Sequence, residues 1–345
     1  MIAATPLPRQ TSGWQRELAE AISDPAELAA ELGLPAEWAT AAAPAAALFG
    51  LRVPRSFVAR MRHGDPDDPL LRQVLPVSAE LAESPGFVAD PLEEARARRA
   101  PGLLQKYRGR ALLIATGACA VHCRYCFRRE FPYGEQQGET GRWTEAIAAL
   151  AADPGISELI LSGGDPFSLT NARLESLTRA LADIPHLRQL RVHTRQPVVL
   201  PSRVDAGLLA WLRSLPWRTT VVLHVNHARE LDTTAGDAIT ALRSTGVLLL
   251  NQTVLLKGVN DDAATLAELS RSLHFAGVLP YYLHQLDRVR GAAHFAVPDA
   301  VALELQAALM ARLPGYLVPR LVREIPGASS KTPVVDSHGY RLPPA

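Results

Sequence analysis

The sequence predicts an α/β protein: a partial (β/α)6 barrel of the TIM type behind an N-terminal helical region. Three observations lead there. From about Arg110 onward, short β-prone runs alternate with helical stretches. The runs are continuously apolar, as expected of strands buried on both faces of a parallel sheet. Polar residues collect just after them, at Cys119, Asp165, Arg195, His227 and Asp287, and the C-terminal strand ends of a β/α barrel carry its site. An open doubly wound sheet fits the same alternation.

The elements follow in chain order. Residues 1–100 read as helical: "WQRELAEAISDPAELAAELGL" has apolar residues at helical spacing, with Asp24-Pro25 opening a second helix. "GDPDDPLLRQVLP" (64–76) is a Pro/Asp-rich connector. The barrel occupies 101–315. Its strands are expected at "ALLIAT" (111–116), "ELILSG" (158–163), "LRQLRVHT" (187–194), "TTVVLHV" (219–225), "VLLLNQTVLL" (247–256) and "LPYYLHQL" (279–286). Helices such as "ARLESLTRALADI" and "AATLAELSRSLHFA" lie between them. Residues 316–345 form a C-terminal segment, in which apolar "YLVPRLVREI" leads into "PGASSKTPVV".

Composition narrows the function. A chain of 345 residues can bury a sizeable core. Its net charge of +1 offers no global field for nucleic acid or anionic lipid. No apolar run reaches the ~18 residues of a membrane span. The opening "MIAATPLPRQ" lacks the pattern of a secretory signal. A cytoplasmic protein is expected, with neither nucleic acid nor membrane as partner.

All three cysteines, Cys119, Cys123 and Cys126, lie in "GACAVHCRYCFRRE" directly after the first strand. An odd number disfavours a disulfide framework. C-x3-C-x2-C lacks the fourth ligand of a structural zinc site. A four-iron cluster held by three thiolates keeps one iron open for a small molecule. A zinc or redox-sensing thiol loop is the alternative. In the C-terminal segment Lys331 follows a Gly/Ser-rich loop, and a lysine so held can act as a Schiff-base nucleophile.

The cysteine motif after the first strand resembles that of the radical S-adenosylmethionine (radical SAM) enzymes. That resemblance implies a [4Fe-4S] cluster on Cys119, Cys123 and Cys126, with S-adenosylmethionine on the open iron. It implies that Gly163, Gly164 and Asp165 of "SGGDP" meet the methionine amino group, that Tyr125 packs on adenine, and that Arg195 contacts the same cofactor. A wider likeness runs from about Met61 to Val335 through "GDPDDPLLRQVLP", "CAVHCRYCFRR", "LSGGDP", "NQTVLLKGVND", "PYYLHQLDRVRGAAHF" and the Lys331 loop. Together these resemble the lysine 2,3-aminomutase family of radical SAM enzymes. The N-terminal stretch resembles its short bacterial branch, which supplies β-lysine for elongation factor P.

The resemblance implies conversion of L-α-lysine to β-lysine with pyridoxal 5'-phosphate as a further cofactor on catalytic Lys331. Lys106, Arg110 and Gln252 would serve its phosphate, and Tyr107 would lie against it. Arg128 would bind the substrate carboxylate, and Asp287 with Glu324 its side-chain ammonium. An electron donor such as flavodoxin or ferredoxin is implied, as is a functional link to elongation factor P and its lysyl ligase. Glu324 stands where longer members carry Asp, "ASS" where they are richer in glycine, and Asp262 where they have a zinc cysteine. Their C-terminal extension is missing, so no structural zinc is expected. The competing readings are an aminomutase acting on arginine or glutamate, and a non-catalytic iron–sulfur or metal-binding redox protein.

Overall fold

The computed structural model describes residues 13–133 and 143–335. A single ten-stranded sheet runs in strict sequence order, β1 to β10. Strands β1 (Arg98–Ala100) and β2 (Leu103–Tyr107) are antiparallel lead-ins to β3 (Arg110–Thr116). Parallel pairing then joins β3 to β4 (Glu158–Gly163), β5 (Gln189–Thr194), β6 (Arg218–His224), β7 (Leu248–Val254), β8 (Leu279–His284) and β9 (Arg320–Arg323). A two-residue strand, β10 (Thr332–Pro333), returns antiparallel on β9.

This order decides between the two architectures. A doubly wound sheet reverses strand order at a switch point. Here it never reverses, so right-handed crossovers keep the helices on one side and curl the sheet into a partial barrel. All six expected strands are present. The seventh parallel strand, β9, was not anticipated: four residues with arginine at each end, directly after Pro319, give too little period to read.

The helices arise where the sequence signals them. Asp24 accepts a hydrogen bond from the Ala26 amide at 2.9 Å and opens the helix Pro25–Glu31. Asp262 does the same for Ala264 and Thr265 at the head of Ala263–Phe275. Within the connector, Asp68 caps the short helix Pro69–Arg72. Among the described residues, no helix is long and apolar enough to cross a membrane.

Two cores position the site. Outward strand residues such as Leu113, Leu161, Val192 and Leu223 pack beneath the helices with Leu177 and Trp211. The N-terminal region builds a second core from Trp14, Ile22, Leu28, Phe57 and Leu71. Ala120 and Val121 of the cysteine loop belong to it. The loop is thereby clamped between the helical region and the barrel.

Candidate active site

The inward positions of the strands line a cavity of about 300 Å³. Every residue expected to bind a ligand faces it: the three cysteines, Tyr125, Gly163, Gly164, Asp165 and Arg195, then Lys106, Tyr107, Arg110, Gln252, Arg128, Asp287, Glu324 and Lys331. His227 does not, because it lines a separate surface groove with Ala264 and Arg271.

Burial and backbone hold the cysteine loop. Arg124, wholly buried inside the motif, forks onto Glu80 at 2.8 and 2.6 Å and donates to the Phe49 carbonyl at 2.6 Å. His122 turns away from the cavity: its Nδ1 lies 2.8 Å from the Gly50 carbonyl and its ring stacks on Phe49. Burial pushes the Cys119 thiol up and Cys126 to about 11. These two thiols therefore favour the protonated form, and metal binding would displace the protons. Three thiols on one loop, all facing the cavity, are the donor set that a four-iron cluster with one open iron requires.

The "SGGDP" turn backs this loop. A Cβ on Gly164 would lie 2.4 Å from the Ala118 carbonyl, and one on Gly163 (φ +112°) 2.7 Å from that of Thr116. The glycines are needed so that the turn can lie against the start of the cysteine loop, where the Gly164 and Asp165 amides bond to Thr116 and Ala118 at 2.6 and 2.8 Å. The Asp165 carboxylate accepts from Thr194 Oγ1 and the Arg195 amide, both at 2.7 Å, and from the Phe167 and Gln196 amides. Arg195 in turn donates from Nη1 to Cys123 Sγ at 2.8 Å.

The far end is a chain of charges. Arg128 forks onto Glu94 (Nε–Oε2 2.7 Å, Nη2–Oε1 2.8 Å) and donates from Nη1 to Ser162 and the Gly163 carbonyl. Lys106 bridges Glu94 at 3.0 Å and Glu324 at 2.8 Å. Glu324 also accepts from Lys331 at 2.7 Å. Against the burial that would raise it, Lys331 and Lys106 hold Glu324 well below the usual carboxylate range. Asp287 is pushed up to about 7, first by burial and then by Glu324 beside it. Arg110 lies 4.7 Å above the Tyr107 ring.

Sequence reasoning missed Glu94 and three histidines. His193, His224 and His284 all point inward from strands, and burial lowers each, His224 to about 3. The imidazoles are neutral, and the buried His193 Nε2 has no hydrogen-bond partner. The available signal was a histidine one or two residues before the end of a predicted strand, in "RVHT", "VVLHV" and "YYLHQL".

A loop of three thiols at the C-terminal mouth of a parallel β/α barrel defines a radical SAM enzyme, with a [4Fe-4S] cluster and S-adenosylmethionine as cofactors. The family model described as a 4Fe-4S single cluster domain matches residues 108–189. An L-lysine 2,3-aminomutase of Escherichia coli (strain K12) is 50% identical over 322 residues, 93% of this chain and 94% of the relative. One of Haemophilus influenzae is 45% identical over 327 residues, covering 95% and 97%. The L-lysine 2,3-aminomutase of Clostridium subterminale is 35% identical, and the match covers 79% of this chain and 66% of that protein. The chain belongs to the L-lysine 2,3-aminomutase family, and it is an isomerase.

Proposed function

We propose that the protein converts L-lysine to β-lysine in this one cavity, with pyridoxal phosphate carried on Lys331 as a further cofactor. The observation behind this is the Lys331–Glu324 ion pair at 2.7 Å. Glu324, with Asp287 beside it, already receives a lysine ammonium, the group by which a substrate lysine differs from other amino acids. A glutamate side chain would meet two carboxylates there.

The residues present fit pyridoxal phosphate. Lys331 offers the amine, its Nζ 5.8 Å from the Tyr282 ring centre. Arg110 and Gln252 face the cavity as candidates for the phosphate. Lys106 suits that task less, because Glu94 and Glu324 already engage it. When bound, the cluster with S-adenosylmethionine would supply a hydrogen-abstracting radical, and pyridoxal phosphate the π-system that lets nitrogen migrate. The chain's own work is positional. Arg128 meets the substrate carboxylate beside Glu94. Asp287 and Glu324 hold the far ammonium. The apolar walls, Leu112, Ile160 and Val254 among them, keep water from the radical. Asp165 fixes the turn against which the cysteine loop closes.

An external electron carrier of the flavodoxin or ferredoxin type would reduce the cluster. Supply of β-lysine for elongation factor P is the biological reading, supported by likeness along nearly the whole chain to the short bacterial relatives. The test is anaerobic: reconstituted protein with pyridoxal phosphate, S-adenosylmethionine, dithionite and L-lysine, alongside Lys331→Ala. β-Lysine from the unaltered protein alone is expected, with borohydride fixing the cofactor to Lys331 by peptide mass. Deoxyadenosine without β-lysine would overturn lysine as substrate. Activity retained in Lys331→Ala would overturn the carrier.

A further inference from the structure

Behind the cysteine loop lies a second buried polar network, of which the ligand assignments use Arg195 alone. Its centre is Glu230, fully buried in the turn after β6. Glu230 Oε1 accepts from the amides of Asn226 and His227 at 3.0 and 3.1 Å and from Gln73 Nε2 at 3.0 Å. Its Oε2 lies 3.0 Å from Arg195 Nη2. Gln73 Oε1 accepts from the same Nη2 at 2.5 Å and from Asn226 Nδ2 at 3.0 Å. The guanidinium is thus held at one edge while its other nitrogen, Nη1, is aimed 2.8 Å from Cys123 Sγ. The whole assembly is out of solvent: Arg195 is 5% exposed, while Gln73, Asn226 and Glu230 are 0% exposed.

We propose that Arg195 sets the reduction potential of the iron–sulfur cluster through its hydrogen bond to Cys123, and that Glu230 tempers the effect. A four-iron cluster on three thiolates goes from one net negative charge to two when an external reductant gives it an electron. No bond need break. A buried cation and an N–H···S bond favour the more negative state and raise the potential. In a site shielded from water the Coulomb effect is little screened. Glu230 opposes it with a charge of the other sign one residue further back. Gln73 and Asn226 fix the geometry, so the balance does not depend on a mobile side chain. This role is separate from any contact Arg195 makes with S-adenosylmethionine. It rests only on the cysteines holding a cluster.

The experiment is a redox titration of the reconstituted protein without S-adenosylmethionine or substrate, followed by the electron paramagnetic resonance signal of the reduced cluster. Arg195→Gln is expected to make reduction at least about tenfold less favourable, a fall of about 59 mV for one electron. Glu230→Gln, which leaves the arginine uncompensated, is expected to move the midpoint the opposite way. Both midpoints unchanged, or both moved in the same direction, would overturn the inference, because a merely structural role has no reason to split the signs. Should Arg195→Gln hold no cluster, Glu230→Gln decides: a rise supports the inference and no rise overturns it. A wild-type protein without iron and sulfide would instead defeat the cluster reading on which it rests.

Discussion

At the cysteine end of the cavity each charge has a fixed, buried partner. Arg124 and Arg129 are both locked to Glu80, Arg195 to Glu230, and Asp165 to two backbone amides of the next turn. At the Lys331 end the charges are more open to solvent and linked in a chain: Glu324 serves two lysines, Lys106 serves two glutamates, and Asp287 is pushed up to about 7. The contrast follows from what each end must hold. A cluster bound through three thiolates needs a rigid cradle, since a displaced thiolate loses its iron. A substrate that comes and goes needs charges able to change partners without leaving one buried and bare.

The largest expected effect breaks the rigid end. In Gly164→Ala the new Cβ meets backbone, not a flexible side chain, at 2.4 Å. Overpacking of this kind costs about 1–3 kcal/mol. The cysteine loop must shift, so iron content after reconstitution should collapse and the melting temperature fall. Normal iron content would mean that the turn yields.

The next effect tests the exchangeable end. Glu324→Gln removes the carboxylate on which Lys106 and Lys331 converge. We expect KM for lysine to rise by about 30-fold or more, equivalent to about 2 kcal/mol or above for a buried charge pair losing one member. Cluster content should stay intact. An unchanged KM would remove Glu324 from the ammonium clamp.

The smallest effect is a pH dependence. The folded pKa of Asp287, at about 7, lies above the ordinary aspartate value. The folded protein therefore binds the extra proton more tightly than the unfolded chain does. Stability from this group is full below the ordinary carboxylate range and declines as pH rises toward 7. Lysine binding should follow the opposite course, tightening as Asp287 ionises up to about pH 7 and then levelling. In Asp287→Asn the KM profile should flatten across that window. A wild-type profile already flat between pH 5.5 and 8 would refute the assignment.

Legibility from sequence followed the range of the interactions. The thiol spacing, the "SGGDP" turn and six of the strands are local patterns, and local patterns can be read along the chain. The neglect of Glu94 has an equally plain cause. It lies in a short 3-10 turn among charged residues, and only folding brings it to Arg128, 34 residues on. Lys106 and Glu324 are 218 residues apart, and Gln73 and Glu230 are 157 apart. No periodicity marks such pairs. The strand histidines were overlooked for a related reason: an apolar run reveals a buried strand but not which of its faces looks into a cavity.

By itself the sequence determined the alternation of strands and helices, the grouping of the three thiols, and the residue types available for a cluster, an amine-borne cofactor and an ammonium clamp. These depend on local backbone preference and side-chain chemistry, which travel with the residue. Only the tertiary structure decided that the strand order never reverses, that the thiols and Lys331 face one cavity, and which acid answers which base. Those outcomes depend on closing long loops and excluding water around the charges. Both are properties of the packed whole and of no single stretch within it.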